Sequence, residues 1–287
     1  MFALSVRRQT GGFFNPELGI SPVKTSTAAI ISEATPLREM FNKVPEVALG
    51  FWVIKILATT VGETVADYLA VGAGLGKTAT NIGMASFLAI VLVMQLRKRQ
   101  YTPWIYWLAV VLVSIVGTQI TDLLTDGLGV SLYVSTSVFA AALAVIFSIW
   151  YSKEKTLSIH TIYTLPRELF YWVAILCTFA LGTAAGDLAT EALGLGFQLG
   201  VFVFAGLIAA IAGLYYLGVS AVLTFWLAYI LTRPLGAALG DLLSQAKEYG
   251  GLGVGAMWTS VIFLSVILTL VTLAQRNASQ SAPKLSP

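Results

Sequence analysis

Residues 51–69 read FWVIKILATTVGETVADYL. The stretch is apolar enough to cross a membrane, yet it carries Lys55, Thr59, Thr60, Glu63 and Asp67. Its skeleton returns three times. Trp52, Gly62 and Asp67 have the spacing of Trp107, Gly117 and Asp122, of Trp172, Gly182 and Asp187, and of Trp226, Gly236 and Asp241. Glycine follows tryptophan by ten positions and aspartate follows glycine by five in every copy. An aromatic precedes each tryptophan (Phe51, Tyr106, Tyr171, Phe225), and a small residue stands four after each glycine (Ala66, Thr121, Gly186, Gly240). Five matched positions in four ungapped copies identify an internal repeat, which decides how the rest of the chain is read.

Composition agrees with the apolar character of that stretch. The chain has 287 residues, 57% hydrophobic and 11% charged, with a mean hydropathy of +0.83. A soluble domain carries about 25% charged residues, so the pattern is that of an integral membrane protein. A net charge of +3 is too small to point to nucleic acid. The single cysteine, Cys177, excludes an internal disulfide and a cysteine metal cluster.

Apolar spans are expected at roughly 47–70, 80–97, 103–125, 131–151, 168–191, 197–217, 220–244 and 254–274, each near the roughly 20 residues a bilayer requires. The expected class is all-α: eight transmembrane helices as four parallel two-helix hairpin repeats around a polar centre. The units are a poorly ordered tail over 1–43, repeats over 44–100, 101–155, 164–218 and 219–275, and a tail over 276–287. A short helix is expected over 36–42, and Phe13 and Phe14 are read as plain tail. Basic residues collect at one end: Arg97, Lys98 and Arg99 after span two, and Lys153, Lys155 and Arg167 after span four. Arg38 and Lys43 precede span one. The positive-inside rule then places both termini in the cytoplasm, in a plasma membrane. Each turn at the opposite end is Gly-Leu-Gly (74–76, 127–129, 194–196, 251–253), suited to tight turns with positive φ. Lys77-Thr78 lacks P-loop spacing. The odd helices carry the motif and are expected inside, the plainer even helices towards lipid.

With the motif tryptophans at the inner interface, the rise of about 1.5 Å per residue puts the glycines near the midplane and the aspartates nearer the outer face. Lys55 is shallow enough to snorkel to the surface. Glu63 is central. Its repeat equivalents are Thr118, Thr183 and Ala237, and those of Arg233 are Thr59, Ser114 and Phe179. Intramembrane ionisable groups are costly and so point to function. The candidate pathway comprises Glu63, Asp67, Asp122, Asp187, Asp241 and Arg233, with the hydroxyls of Thr59, Thr118 and Thr183; Glu63 and Asp67 are the candidate metal ligands. A ring of carboxylates attracts cations, and close carboxylates exchange protons. The alternative is that the aspartates cap helix ends and bond neighbouring backbone. Arg233 and Glu63 are close enough in depth to pair, and Pro234 is expected to kink its helix. Glu46 and Glu168 are explained by the helix macrodipole, and the lone His160 by its basic loop.

Lys43-Val44-Pro45-Glu46-Val47, followed by the quoted stretch, resembles a bacterial multi-pass membrane family built from a four-fold tandem repeat of unknown function, labelled only as membrane-anchored. The resemblance covers roughly residues 43–275. It implies a bacterial inner-membrane protein of four tandem hairpins and brings no activity. The residues point to a transporter of a cation or small solute, metal-ion or proton coupled; the alternative is a membrane scaffold or regulatory subunit. An enzyme is not expected, for there is no paired-histidine, serine–histidine or nucleotide motif. No cofactor is expected. The expected partners are membrane lipid, the transported cation or proton, and a second copy of the chain as an open option.

Overall fold

The structure, a computed structural model, describes residues 42–72 and 76–281. Apart from Asn42, the expected tail with its short helix and Phe13 and Phe14 lies outside these residues. Among the described residues the regular structure is helical throughout, and eight helices are long and apolar enough to cross a membrane. They are α1 (Leu49–Asp67), α2 (Lys77–Arg97), α3 (Pro103–Asp122), α4 (Leu132–Glu154), α5 (Leu165–Asp187), α6 (Gly196–Tyr216), α7 (Ala221–Ser244) and α8 (Ala256–Ser281). Local chemistry sets their ends. Proline opens α3 and lies in the first turn of α5, where the missing N–H costs nothing. Ser131 caps α4 by accepting from Val134 N (3.4 Å). The second glycine of each Gly-Leu-Gly turn takes positive φ: Gly76 at 81°, Gly129 at 68°, Gly196 at 69° and Gly253 at 77°.

The four odd helices pack side by side in a closed ring, α1 on α3, α3 on α5, α5 on α7 and α7 back on α1. Along the spanning windows 61–67% of their residues are buried, against 11–22% for the even helices. The even helices are therefore the outer layer. Each lies along the odd helix of the next repeat: α2 on α3, α4 on α5, α6 on α7, and α8 on α1. The two helices of a repeat pack far less on each other, α7 and α8 of the fourth repeat keeping a minor contact. The main packing of the repeats expected from sequence thus runs across repeat boundaries.

Glycine makes the ring possible, and every crossing uses the same register. The site of a Cβ on Gly62 is filled by Ser114, on Gly117 by Phe179, on Gly182 by Arg233 and on Gly236 by Thr59. In each case the glycine of one repeat receives the residue three before the glycine of the next. Small-residue faces of this kind let membrane helices approach closely, and van der Waals contact then holds them. α7 continues as helix through Pro234, where a kink is expected from sequence; the ring lies in the α5 groove, its Cα and Cβ 3.3 Å from where a Gly186 Cβ would stand.

The same cyclic rule builds an aromatic layer near the starts of the odd helices. Phe51 meets Trp107, Tyr106 meets Trp172, Tyr171 meets Trp226 and Phe225 meets Trp52, with ring centroids 5.7, 5.6, 6.4 and 5.7 Å apart. Tyr106 and Tyr171 share a hydroxyl hydrogen bond of 2.5 Å. Trp107, Trp172 and Trp226 are buried. They are interior packing residues, and of the four motif tryptophans only Trp52 is partly exposed. Large flat rings bury much apolar area and so fill the space between the starts of the odd helices.

Lys43, assigned to the tail by sequence, is buried too. Its Nζ donates to Glu168 Oε2 (2.6 Å) and to Leu96 O (3.2 Å), and Gln95 Nε2 donates to Glu168 Oε1 (3.2 Å). Backbone bonds Lys43 N to Ile162 O (3.0 Å) and Tyr101 N to Asn42 O (3.2 Å) stitch the segment to two loops. Glu168 thus answers a buried ammonium, a stronger reason for its presence than the macrodipole.

Candidate functional site: an acidic vestibule

Above the glycine crossings the ring opens into a cavity of about 640 Å³ at the Gly-Leu-Gly end. The motif carboxylates Asp67, Asp122, Asp187 and Asp241, together with Glu63, line it. Asp67, Asp122 and Asp187 are each the last residue of α1, α3 and α5, and a π-helical turn follows each of them (Tyr68–Gly72, Leu123–Gly127, Leu188–Ala192). π turns are rare and concentrate at functional sites. α7 instead runs on past Asp241 to Ser244.

Two further acids line the cavity, Asp126 and Glu191, each within a π turn. Sequence reading missed them. The signal was the repeat itself, since both stand four after the motif aspartate, where the other copies have Val71 and Gln245. Lys77 is the one cation among the described lining residues, held 3.8 Å from Asp126 at the exposed rim. Among the described residues, none of the four motif aspartates makes a side-chain hydrogen bond or ion pair, and no side-chain cap forms where Asp122 and Asp187 precede their π turns. The capping role considered from sequence is therefore absent, and the carboxylates face the cavity unengaged.

The floor of the cavity is an ion pair. Arg233 Nη2 donates to Glu63 Oε2 and to Thr118 Oγ1, and Arg233 Nη1 donates to Thr59 O (3.1 Å). Arg233 is 1% exposed and Glu63 6%. Glu63 both lines the cavity and is paired. Of the expected hydroxyls, Thr118 binds Arg233. Thr59 Oγ1 donates to Ile56 O (2.6 Å) and Thr232 O (3.1 Å), and Thr183 Oγ1 to Phe179 O (3.1 Å). Thr59 and Thr183 lie outside the cavity wall.

Beneath the floor lies Lys55, 1% exposed, its Nζ over the rings of Phe179 (3.9 Å) and Tyr229 (4.2 Å) and without a hydrogen-bond acceptor. This corrects the snorkelling expected from its depth. Sequence fixes how deep a residue lies but not which way its helix faces, and Lys55 shares the inward face with Thr59 and Glu63 at intervals of four. The order along the ring is then acidic cavity, Glu63–Arg233 pair, caged lysine and aromatic layer.

No curated protein and no solved structure matches this chain. A family model does, over residues 50–101, 105–156, 170–218 and 224–279, one match for each repeat found in the sequence. These matches span well over half of the chain, which therefore belongs to the family described as Repeat of Unknown Function (DUF347).

Proposed function

We propose that this membrane protein is a transporter of a cation or small solute, metal-ion or proton coupled, working from carboxylates around a polar centre that the four repeats enclose. The observation that carries this reading is the convergence of unpartnered carboxylates on one cavity within the spanning helices. A membrane protein gains nothing in stability by burying such groups, and they mark pathways for ions or protons. With the basic loops cytoplasmic in a plasma membrane, the vestibule faces outward, and the aromatic layer and the Glu63–Arg233 pair form the closed inner barrier. Hydroxyls, carboxylates and carbonyls supply the oxygen ligands a hard cation takes.

A second reading, a scaffold or regulatory subunit without transport, draws on the pairing of Glu63 with Arg233. Flux separates the two. Purified protein in liposomes, tested against a panel of monovalent and divalent cations with an internal pH dye, is expected to carry at least one of them, and Asp122→Asn is expected to slow that flux while leaving the protein monodisperse. Folded protein that moves no cation and no proton favours an uncharged or organic solute or the scaffold.

A further inference from the structure

Glu63 belongs to two assemblies. Its Oε2 accepts from Arg233. Its carboxylate also stands with those of Asp67 and Asp241, one oxygen from each lying within 4.8 Å of the others. Asp241 is 6% exposed and, among the described residues, neither it nor Asp67 has a hydrogen-bond donor or an ion-pair partner. An independent group faces the same cavity: Gln119, also 6% exposed, with its Oε1 unpartnered. A buried carbonyl oxygen without a donor is a cost that a bound cation or its hydration shell removes.

We propose that a hard divalent cation binds at Glu63, Asp67 and Asp241, and that it does so by taking Glu63 from Arg233. The inference rests on the transport reading of the vestibule and names the ligand and its competitor. Three carboxylates facing one guanidinium leave two negative charges uncompensated, the charge of a divalent ion. The cavity wall offers oxygen ligands and neither histidine nor cysteine, which suits magnesium, calcium or manganese and not zinc or copper. Arg233 is a fixed rival. It does not lose its proton, its Cβ and Cγ lie in the Gly182 groove, and Thr118 and the Thr59 carbonyl keep it in place when Glu63 turns away. Ion and guanidinium therefore compete for one carboxylate, and occupancy of the vestibule is communicated to its floor.

The test uses full-length protein in detergent, with manganese alone as the probe and the free-ion electron paramagnetic resonance signal as readout. One manganese per chain is expected. Asp241→Asn should weaken binding by at least about fivefold, and Arg233→Gln should tighten it by about 5- to 150-fold, the usual span of coupling between competing sites. If Arg233→Gln does not fold, Arg233→Lys replaces the fork by a single point of charge, and a smaller tightening is expected. Manganese binding that Asp241→Asn leaves unchanged, or affinity that stays level or falls on removing the arginine fork, overturns the proposal. Manganese bound in this pattern without flux in liposomes would leave the site standing and remove transport. Flux of any solute with no manganese binding would do the reverse.

Discussion

Lys55 shows how a single buried charge is tolerated without being favourable. Desolvating an ammonium costs several kcal/mol even after relaxation. Two ring faces return about 2 kcal/mol each, and the neighbouring Arg233 charge opposes. The balance is unfavourable, so Lys55→Met should raise stability by about 1–4 kcal/mol, as replacement of buried charge by a matched apolar side chain often does. Thermal unfolding of the purified variant checks this; a fall in melting temperature would mean that the cage holds the charge at a net gain. The residue was visible in the sequence as an anomaly, but its environment was not. Phe179 and Tyr229 come from other repeats, 124 and 174 positions away in the chain (179 minus 55 and 229 minus 55). Glu63 and Arg233 were more legible because both break the repeat: where the other three copies carry uncharged residues, a charge stands out. Asp126 and Glu191 were legible in principle, since extending the register by one turn finds them.

At the scale of the helix, the crossings rest on glycine. A Cβ on Gly182 would overlap Arg233 Cβ and Cγ and stand 3.1 Å from Pro234 Cδ. These are stems held in a packed groove and not flexible tips, so Gly182→Ala should destabilise by about 1–3 kcal/mol through overpacking. Gly206 on α6 meets nothing within 4 Å, and Gly206→Ala should stay within about 0.5 kcal/mol of the parent. Parallel denaturation of the two variants decides whether proximity, and not glycine itself, matters. The small faces were readable from spacing alone. What fills each one was not, because that depends on the stagger between neighbouring helices, which periodicity does not contain.

For the whole molecule, the ring has a definite order of dependence. α4 lies on α5 and α8 on α1. A cut in the loop before α5 therefore strands one outer helix in each half without its partner. Residues 1–157 or 158–287 expressed alone should give aggregated protein, and the two halves expressed together should co-purify as one monodisperse species by size-exclusion chromatography. Separate halves that are each monodisperse would contradict the offset packing. Class, span number and repeat number were evident in the sequence because apolar length and motif spacing are local properties. The closure of α8 onto α1 was not, since α8 looks like ordinary lipid-compatible helix and nothing local in it names the helix it covers.

The offset also bears on biogenesis. As the chain leaves the ribosome, α2, α4 and α6 each enter the bilayer before the helix they will cover has been made, and the outer face of α1 waits for α8. Completion of the fold thus waits on completion of synthesis. A product truncated before α8 leaves the α1 seam, with its glycine and hydroxyl-bearing surface, without the helix that covers it.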